Sequence, residues 1–274
     1  MELTKNGSIR DFNVASDGTL VNVQVFIQEI PGAVQKTIRE QSAGGKLGDI
    51  YKTYDDDEFT FVAEFVKNAK SRSLTVGPDG KLQNLQIDLT EAPEAIQKVV
   101  REQLGAGAVD EVYKIFSGSE TAYEVESTKD ERKQSLSIKP DGTLTAYEIE
   151  VVLESVSPAV QKIIKERVEG NEIETFKKNL EDGDVFFEAV STKGGKRYAV
   201  SVGEDGEFIS EEIDVALKEL PAEAQQAVKQ RLGKGKIASL RKVTEDGPPT
   251  YDVEMIKDGK RQIFTIGTDG KPVE

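Results

Sequence analysis

The dipeptide Asp-Gly stands at 17–18, 79–80, 141–142, 205–206 and 269–270, so successive marks lie 62, 62, 64 and 64 residues apart. A fixed period of this length marks a duplicated unit, and it constrains the chain before any local motif does. A catalytic constellation present in one copy alone would be out of keeping with it. The expectation is a binding module.

A second mark confirms the first. Pro31, Pro93, Ser157 and Pro221 each stand 48 residues before an Asp-Gly, with proline shifted to Pro158 in the third copy. The dozen residues after each mark read as an amphipathic helix. Val34, Ile38 and Ser42, then Ile96, Val100 and Leu104, Val160, Ile164 and Val168, and Ala224, Val228 and Leu232 repeat at i, i+4, i+8, which places each set on one face. Ala33, Ala95 and Ala159 lie beside them, and Ser42 makes the first helix the weakest. Proline suits the first helical position. Gly44, Gly105, Gly170 and Gly233 fall where a left-handed C-cap wants glycine.

After the helix the period changes to two. Phe61, Tyr123, Phe187 and Tyr251 recur at one place, with Ala63, Val125, Ala189 and Val253 two residues on. Leu74/Val76, Leu136/Ile138, Val200/Val202 and Phe264/Ile266 repeat the alternation of half-buried strands. An earlier strand is expected around Ile50–Tyr54 and its equivalents, and a later one such as Leu82–Leu89 or Leu144–Val152. The connections are too short for crossovers, so the order is antiparallel. The fold expected is α+β: tandem repeats, each a helix packed on a four-stranded antiparallel meander sheet. The boundaries are a partial copy over 1–30 holding the last two strands, then copies over 31–92, 93–156, 157–220 and 221–274, the last with a short final strand. Either the chain was cut from a longer one, or its opening hairpin docks on a neighbouring sheet.

Composition bounds the chemistry. A copy of this size is near the lower limit for independent folding. The 274 residues include no cysteine and no histidine, so disulfide and metal staples are missing apart from an all-oxygen site, and the copies are expected to lean on one another. A net charge of −14 argues against nucleic acid and anionic membranes as partners and favours a basic one. No window is apolar enough to span a membrane. Glu2, Lys5 and Asn6 interrupt any signal-peptide core. If the native protein is exported, its signal was trimmed and Met1 is an addition.

Without His or Cys, nucleophilic triads and most transition-metal sites are out of reach. Gly-Pro-Asp-Gly at 77–80 and Lys-Pro-Asp-Gly at 139–142 lack the ligand positions of a calcium loop and read as hairpin turns with glycine at positive φ. The acidic groups Asp55–Glu58 and Glu211, Glu212 and Asp214 read as solvated faces, although an enzyme using acidic residues is the remote alternative. Lys52, Lys114, Lys178 and Lys242 recur at one place and are expected to form surface pairs with Glu64, Glu126 and Glu254. No cofactor, metal or catalytic residue is assigned.

The sheet face opposite the helix is the more informative surface. If Val185, Phe187 and Ala189 face the core, Phe186 and Val190 point outward, as Val62 and Val66 do earlier, and Tyr51 and Tyr113 can join that face. These six residues are the candidate partner-binding set; packing between copies is the competing reading.

Pro221-Ala-Glu-Ala-Gln, Lys236-Ile-Ala-Ser-Leu-Arg-Lys, Thr250-Tyr-Asp-Val-Glu and Asp258-Gly through Asp269-Gly-Lys resemble a PepSY-like domain. Tyr123-Glu-Val-Glu matches in another copy, and phenylalanine replaces the tyrosine in the remaining two. The resemblance implies a helix on an antiparallel sheet, related in shape to beta-lactamase inhibitor proteins. It further implies a periplasmic or extracellular location, and it brings no catalytic residue with it. The expected function is a non-enzymatic, inhibitor-like binding protein of the bacterial periplasm or cell envelope. It would contact an unidentified protein partner through open sheet faces, as a monomer or weak oligomer. The alternative is a structural spacer or scaffold without a dedicated partner.

Overall fold

The computed structural model describes residues 2–5, 8–15, 18–55, 58–105, 109–257 and 260–273. The chain divides into two compact units, Met1–Lys129 with Ser135–Leu144, and Asp130–Gln134 with Thr145–Glu274. In the first, β1 (Glu2–Lys5), β2 (Ser8–Val14) and β3 (Leu20–Val25) precede α1 (Gly32–Gln41). Then come β4 (Lys46–Asp55), β5 (Glu58–Lys67), β6 (Lys70–Val76) and β7 (Leu82–Gln86), followed by α2 (Glu94–Leu104), β8 (Val109–Ser117), β9 (Glu120–Lys129) and the greater part of β10 (Arg132–Ile138). In the second, β11 (Leu144–Glu150) leads to α3 (Pro158–Val168), β12 (Ile173–Glu181), β13 (Asp184–Lys193), β14 (Lys196–Gly203) and β15 (Phe208–Asp214). There follow α4 (Ala222–Leu232), β16 (Lys236–Thr244), β17 (Thr250–Lys257) and β18 (Lys260–Gly267).

The expected architecture, tandem repeats each with a helix on its own four-stranded meander sheet, is overturned by the ladders. The sheet does not stop at the expected boundaries. β3 pairs with β4 and β7 with β8 in the first unit, and β11 pairs with β12 and β15 with β16 in the second, all antiparallel. Each unit therefore holds a continuous, strand-dominated antiparallel sheet. The reason is the edge: a four-stranded sheet ending at β3 or β7 would leave a full row of N–H and C=O groups unpaired. The strand after the next helix supplies their partners.

The helices form where the apolar spacing places them. Val34 and Ile38 of α1 are buried against Ile50, Phe61, Ala63, Leu74 and Val76. Val160, Ile164 and Val168 of α3 cover Phe176, Phe187, Ala189, Val200 and Val202, and Ala224 and Val228 of α4 cover Leu240, Tyr251, Val253 and Ile266. Each fully buried isoleucine or phenylalanine contributes about 1.5–3 kcal/mol. Pro31, Pro93 and Pro221 lie one residue ahead of the first helical turn, and only Pro158 lies inside it, with the Ser157 hydroxyl accepting from the Val160 N–H at 3.3 Å. Ser42 ends α1 by donating its hydroxyl to the Ile38 carbonyl at 2.7 Å. Gln35, Gln97, Gln161 and Gln225 close all four helix entries alike: each donates its side-chain amide to the carbonyl five residues back, at 2.9–3.0 Å.

The strands expected over Leu82–Leu89 and Leu144–Val152 end early, at Gln86 and Glu150, because 3₁₀ turns at Leu89–Glu91 and Leu153–Ser155 bend the chain toward the helices. In the four described Asp-Gly turns, Asp79, Asp141, Asp205 and Asp269 accept the N–H of the residue two places on, at 2.9–3.0 Å. These are hairpin turns. Asp17 lies outside the described residues, as do Asp258 and Gly259 of the family resemblance.

Candidate functional site

Register fixes which side chains share a face. In the first unit Ala63 lies opposite Leu74 and Leu74 opposite Leu85, while Leu85 lies opposite Lys114 and Lys114 opposite Tyr123. One row thus carries the α1 core into the buried Tyr123, so α1 and α2 cover the same face. In the second unit the row Tyr198, Ile213, Lys242, Tyr251 and Ile266 does the same for α3 and α4. No described helix covers the opposite face of either sheet.

The six candidate residues all lie on those open faces. Tyr51 and Val62 are direct cross-strand partners, with Gln24 on the far side of Tyr51. Val66 follows on β5, 46% exposed, opposite Lys46 and Ser71. Tyr113 sits on β8 between Gln86 and Glu124. In the second unit, half-buried Phe186 lies between Asn179 and Gly203, and Val190 between Thr175 and Ala199. The structure therefore joins Tyr51 to Val62, and sets Phe186 and Val190 four residues apart on one strand.

Polar groups that the sequence reading passed over organise the first unit's face. The Tyr113 hydroxyl donates to Glu111 at 2.8 Å, and Glu111 also accepts from the Gln86 amide at 3.2 Å. Gln86 in turn accepts from the Ser73 N–H at 2.9 Å. Burial, then the hydrogen bond to Glu111 and its charge, push the Tyr113 phenol up to about 12. Burial and the charges of Asp49, Glu64 and Asp11 raise Tyr51 as well. The Gln24 amide holds Asp49 at 2.8 Å. A signal for this network was present: glutamine recurs seven residues before both Pro31 and Pro93.

The second unit's face is laced with charge. Lys177 meets Glu148 at 2.8 Å, Arg241 meets Glu212 at 2.8 Å, and Arg261 meets Glu254 at 3.0 Å. Arg197 reaches both Glu188 and Glu212, at 3.8 and 3.7 Å.

Among the described residues the acidic groups form no paired-carboxylate centre; Asp56 and Asp57 lie outside those residues. Glu211 accepts from the Tyr198 hydroxyl at 2.8 Å, whereas its neighbour Glu212 pairs with Arg241; successive strand residues point to opposite faces. Asp55 and Glu58 close the β4–β5 hairpin. The recurrent lysines do not pair with Glu64, Glu126 and Glu254. Lys52 and Lys114 lie on the helix face, over Phe59 at 3.7 Å and Phe116 at 5.1 Å, while Lys178 bonds Glu204 at 2.8 Å. Among the described residues no group of three or more acidic side chains has metal-site geometry. None of the described helices is long and apolar enough to cross a membrane.

No protein-family model matches the chain, and no curated protein matches it. Solved structures do resemble parts of it. A BLIP-like protein from Bacteroides fragilis is 17% identical, over 44% of this chain and 84% of its own, with a TM-score of 0.34. A DUF2874 family protein from Bacteroides uniformis is 16% identical over 42% and 85%, with a TM-score of 0.32. A Bacteroides eggerthii protein, provisionally described as periplasmic, is 19% identical over 44% and 88%, also at 0.32. Likeness at these scores assigns the chain neither family nor activity.

Proposed function

We propose that this chain is a non-enzymatic binding protein that grips a protein partner with the open faces of its sheets, in the periplasm or cell envelope. The observation that carries the reading is one-sidedness. The described helices all lie on one face of each sheet, while the other face presents Tyr51, Val62, Tyr113, Phe186 and Val190 half-exposed. Aromatic rings set in a polar surround are the composition of an interface core and rim. The envelope location, and the PepSY-like membership behind it, rest on the resemblance of the short motifs.

Photo-crosslinking tests this reading. A crosslinker placed at Val62 or Phe186 should capture a single partner from an envelope extract at one-to-one stoichiometry, and Phe186→Ser should weaken capture. A crosslinker at Lys98 or Lys162, on the exposed sides of α2 and α3, should capture none of it. Capture from the helix sites, or from no site, sinks the proposal.

A further inference from the structure

The open face of the first unit is acidic in an unusual way. Asp11, Asp49, Glu64, Glu111, Glu124 and Glu126 lie on it, and none is joined to a lysine or arginine by an ion pair among the described residues. Three of them act on Tyr51, and Glu111 and Glu126 act on Tyr113. Like charges held together without counter-ions repel, which destabilises the free protein and is relieved by a cation from outside.

The second unit supplies its own cations at the equivalent places. Tyr51 and Tyr113 stand 20 residues after Pro31 and Pro93, while Lys177 and Arg241 stand 20 residues after Ser157 and Pro221. The ladder positions agree: Gln24 opposes Tyr51 and Gln86 opposes Tyr113, whereas Glu150 opposes Lys177 and Asp214 opposes Arg241. Lys177 and Arg241 neutralise Glu148 and Glu212. In the first unit those cation positions are tyrosine, a ring that can seat a cation from another molecule and the alkyl stem that carries it.

We propose that this face docks a lysine- and arginine-rich polypeptide segment, its cations lodged beside Tyr51 and Tyr113 among the unpaired carboxylates. The proposal rests on the protein-binding reading and names the partner's chemistry. Tyr51 on β4 and Tyr113 on β8 lie four strands apart in the sheet, about 19 Å at the usual strand spacing. An extended segment covers that distance in about six residues. A small polyvalent cation would reach one tyrosine at a time. Phosphate polymers and anionic lipid surfaces carry the wrong sign.

The test is calorimetric titration of the full chain with a blocked decapeptide bearing Lys-Arg at each end and six glycines and serines between. Wild type should bind, more weakly at 200 mM than at 50 mM salt. Glu64→Gln/Glu124→Gln/Glu126→Gln, all at exposed positions and none in an ion pair among the described residues, should weaken binding at least tenfold with the thermal midpoint unchanged or raised. Glu188→Gln/Glu254→Gln on the second unit should alter it less than twofold. Absence of wild-type binding, an unchanged Kd in the triple variant, or equal weakening in the second-unit variant overturns the proposal. If the peptide fails while crosslinking at Val62 still captures a natural partner, only the basic chemistry is wrong; if both fail, the binding reading falls too.

Discussion

Gly80 is seated directly on Ala33: a β-carbon built on the glycine would lie 2.7 Å from the alanine's own. The contact joins the Asp-Gly hairpin between β6 and β7 to the first turn of α1, and the Thr37 hydroxyl bonds the Gly80 carbonyl at 2.6 Å. Gly206 meets Ala159 at the same 2.7 Å, and Gly142 meets Ala95 at 3.1 Å. The alanines beside the apolar stripe are small because a turn rests on them. The recurring dipeptide is therefore a packing device as well as a turn.

Gly80→Ala should be markedly destabilising. It places a side chain at φ +85°, which costs roughly 1–2 kcal/mol, and drives a methyl into α1, adding roughly 1–3 kcal/mol. Gly118, at φ +60° with nothing within 4 Å, bears only the first penalty. Urea unfolding should rank Gly80→Ala well below Gly118→Ala; equal losses would refute the seat.

The β5–β6 hairpin turns through Asn68 and Ala69, both at positive φ (54° and 62°), between the paired Lys67 and Lys70. Such two-residue turns favour glycine at the second place, and the β13–β14 hairpin has Gly194 and Gly195 there. Ala69→Gly should stabilise the protein by about 0.5 kcal/mol, since relief of strain outweighs the extra freedom of the unfolded chain. A lower urea midpoint in the variant would contradict this.

Period-two alternation made the strand faces legible. Phe61 and Ala63 point inward and Val62 outward because a strand has no other option. The alternation is silent on where a sheet ends, so the β7–β8 ladder went unforeseen and the β3–β4 ladder, the docking of the opening hairpin, stood only as one of two alternatives. It is equally silent on register. Sequence spacing brings Lys52 toward Glu64, yet the ladder sets Lys52 opposite Phe61 and Glu64 opposite Ser73, on opposite faces. Likewise Tyr51 and Tyr113 were legible as outward, and Glu111 shares the face of Tyr113 by period two, but the bond from Glu111 to Gln86 depends on the β7–β8 register that sets Gln86 opposite Tyr113, which no periodicity announces.

Tyr113 should resist ionisation. Its phenol lies near 12, above the ordinary value of 10, so the folded state prefers the neutral form. The stability this lends is fully present below about pH 10 and is lost as pH rises toward 12. Absorbance at 295 nm should show a phenolate titrating late, a component that Tyr113→Phe removes and that Glu111→Gln moves to lower pH. A wild-type curve identical to that of Tyr113→Phe would refute the assignment.

Arg72 is 6% exposed and lies beneath the 3₁₀ turn that feeds α2, bonded to Asp88 and, at 2.7 Å, to Glu91. Lys70 grips the same Asp88 from outside. Gln134 occupies the equivalent place 62 residues on, so glutamine fits this position and Arg72→Gln should fold. It should nevertheless lose roughly 1–3 kcal/mol, less than a fully buried pair because both acids keep some water contact. The pH dependence separates charge from packing. The Lys70 bond, with the Arg72 charge behind it, holds the Asp88 carboxyl below the ordinary carboxylate value. A depressed folded-state value means the contribution is complete above about pH 4 and disappears as pH falls through the depressed value. The stability gap between wild type and Arg72→Gln in urea should therefore be wide at pH 7 and narrow at pH 2.5. A gap of the same width at both would show that Arg72 acts by filling space alone.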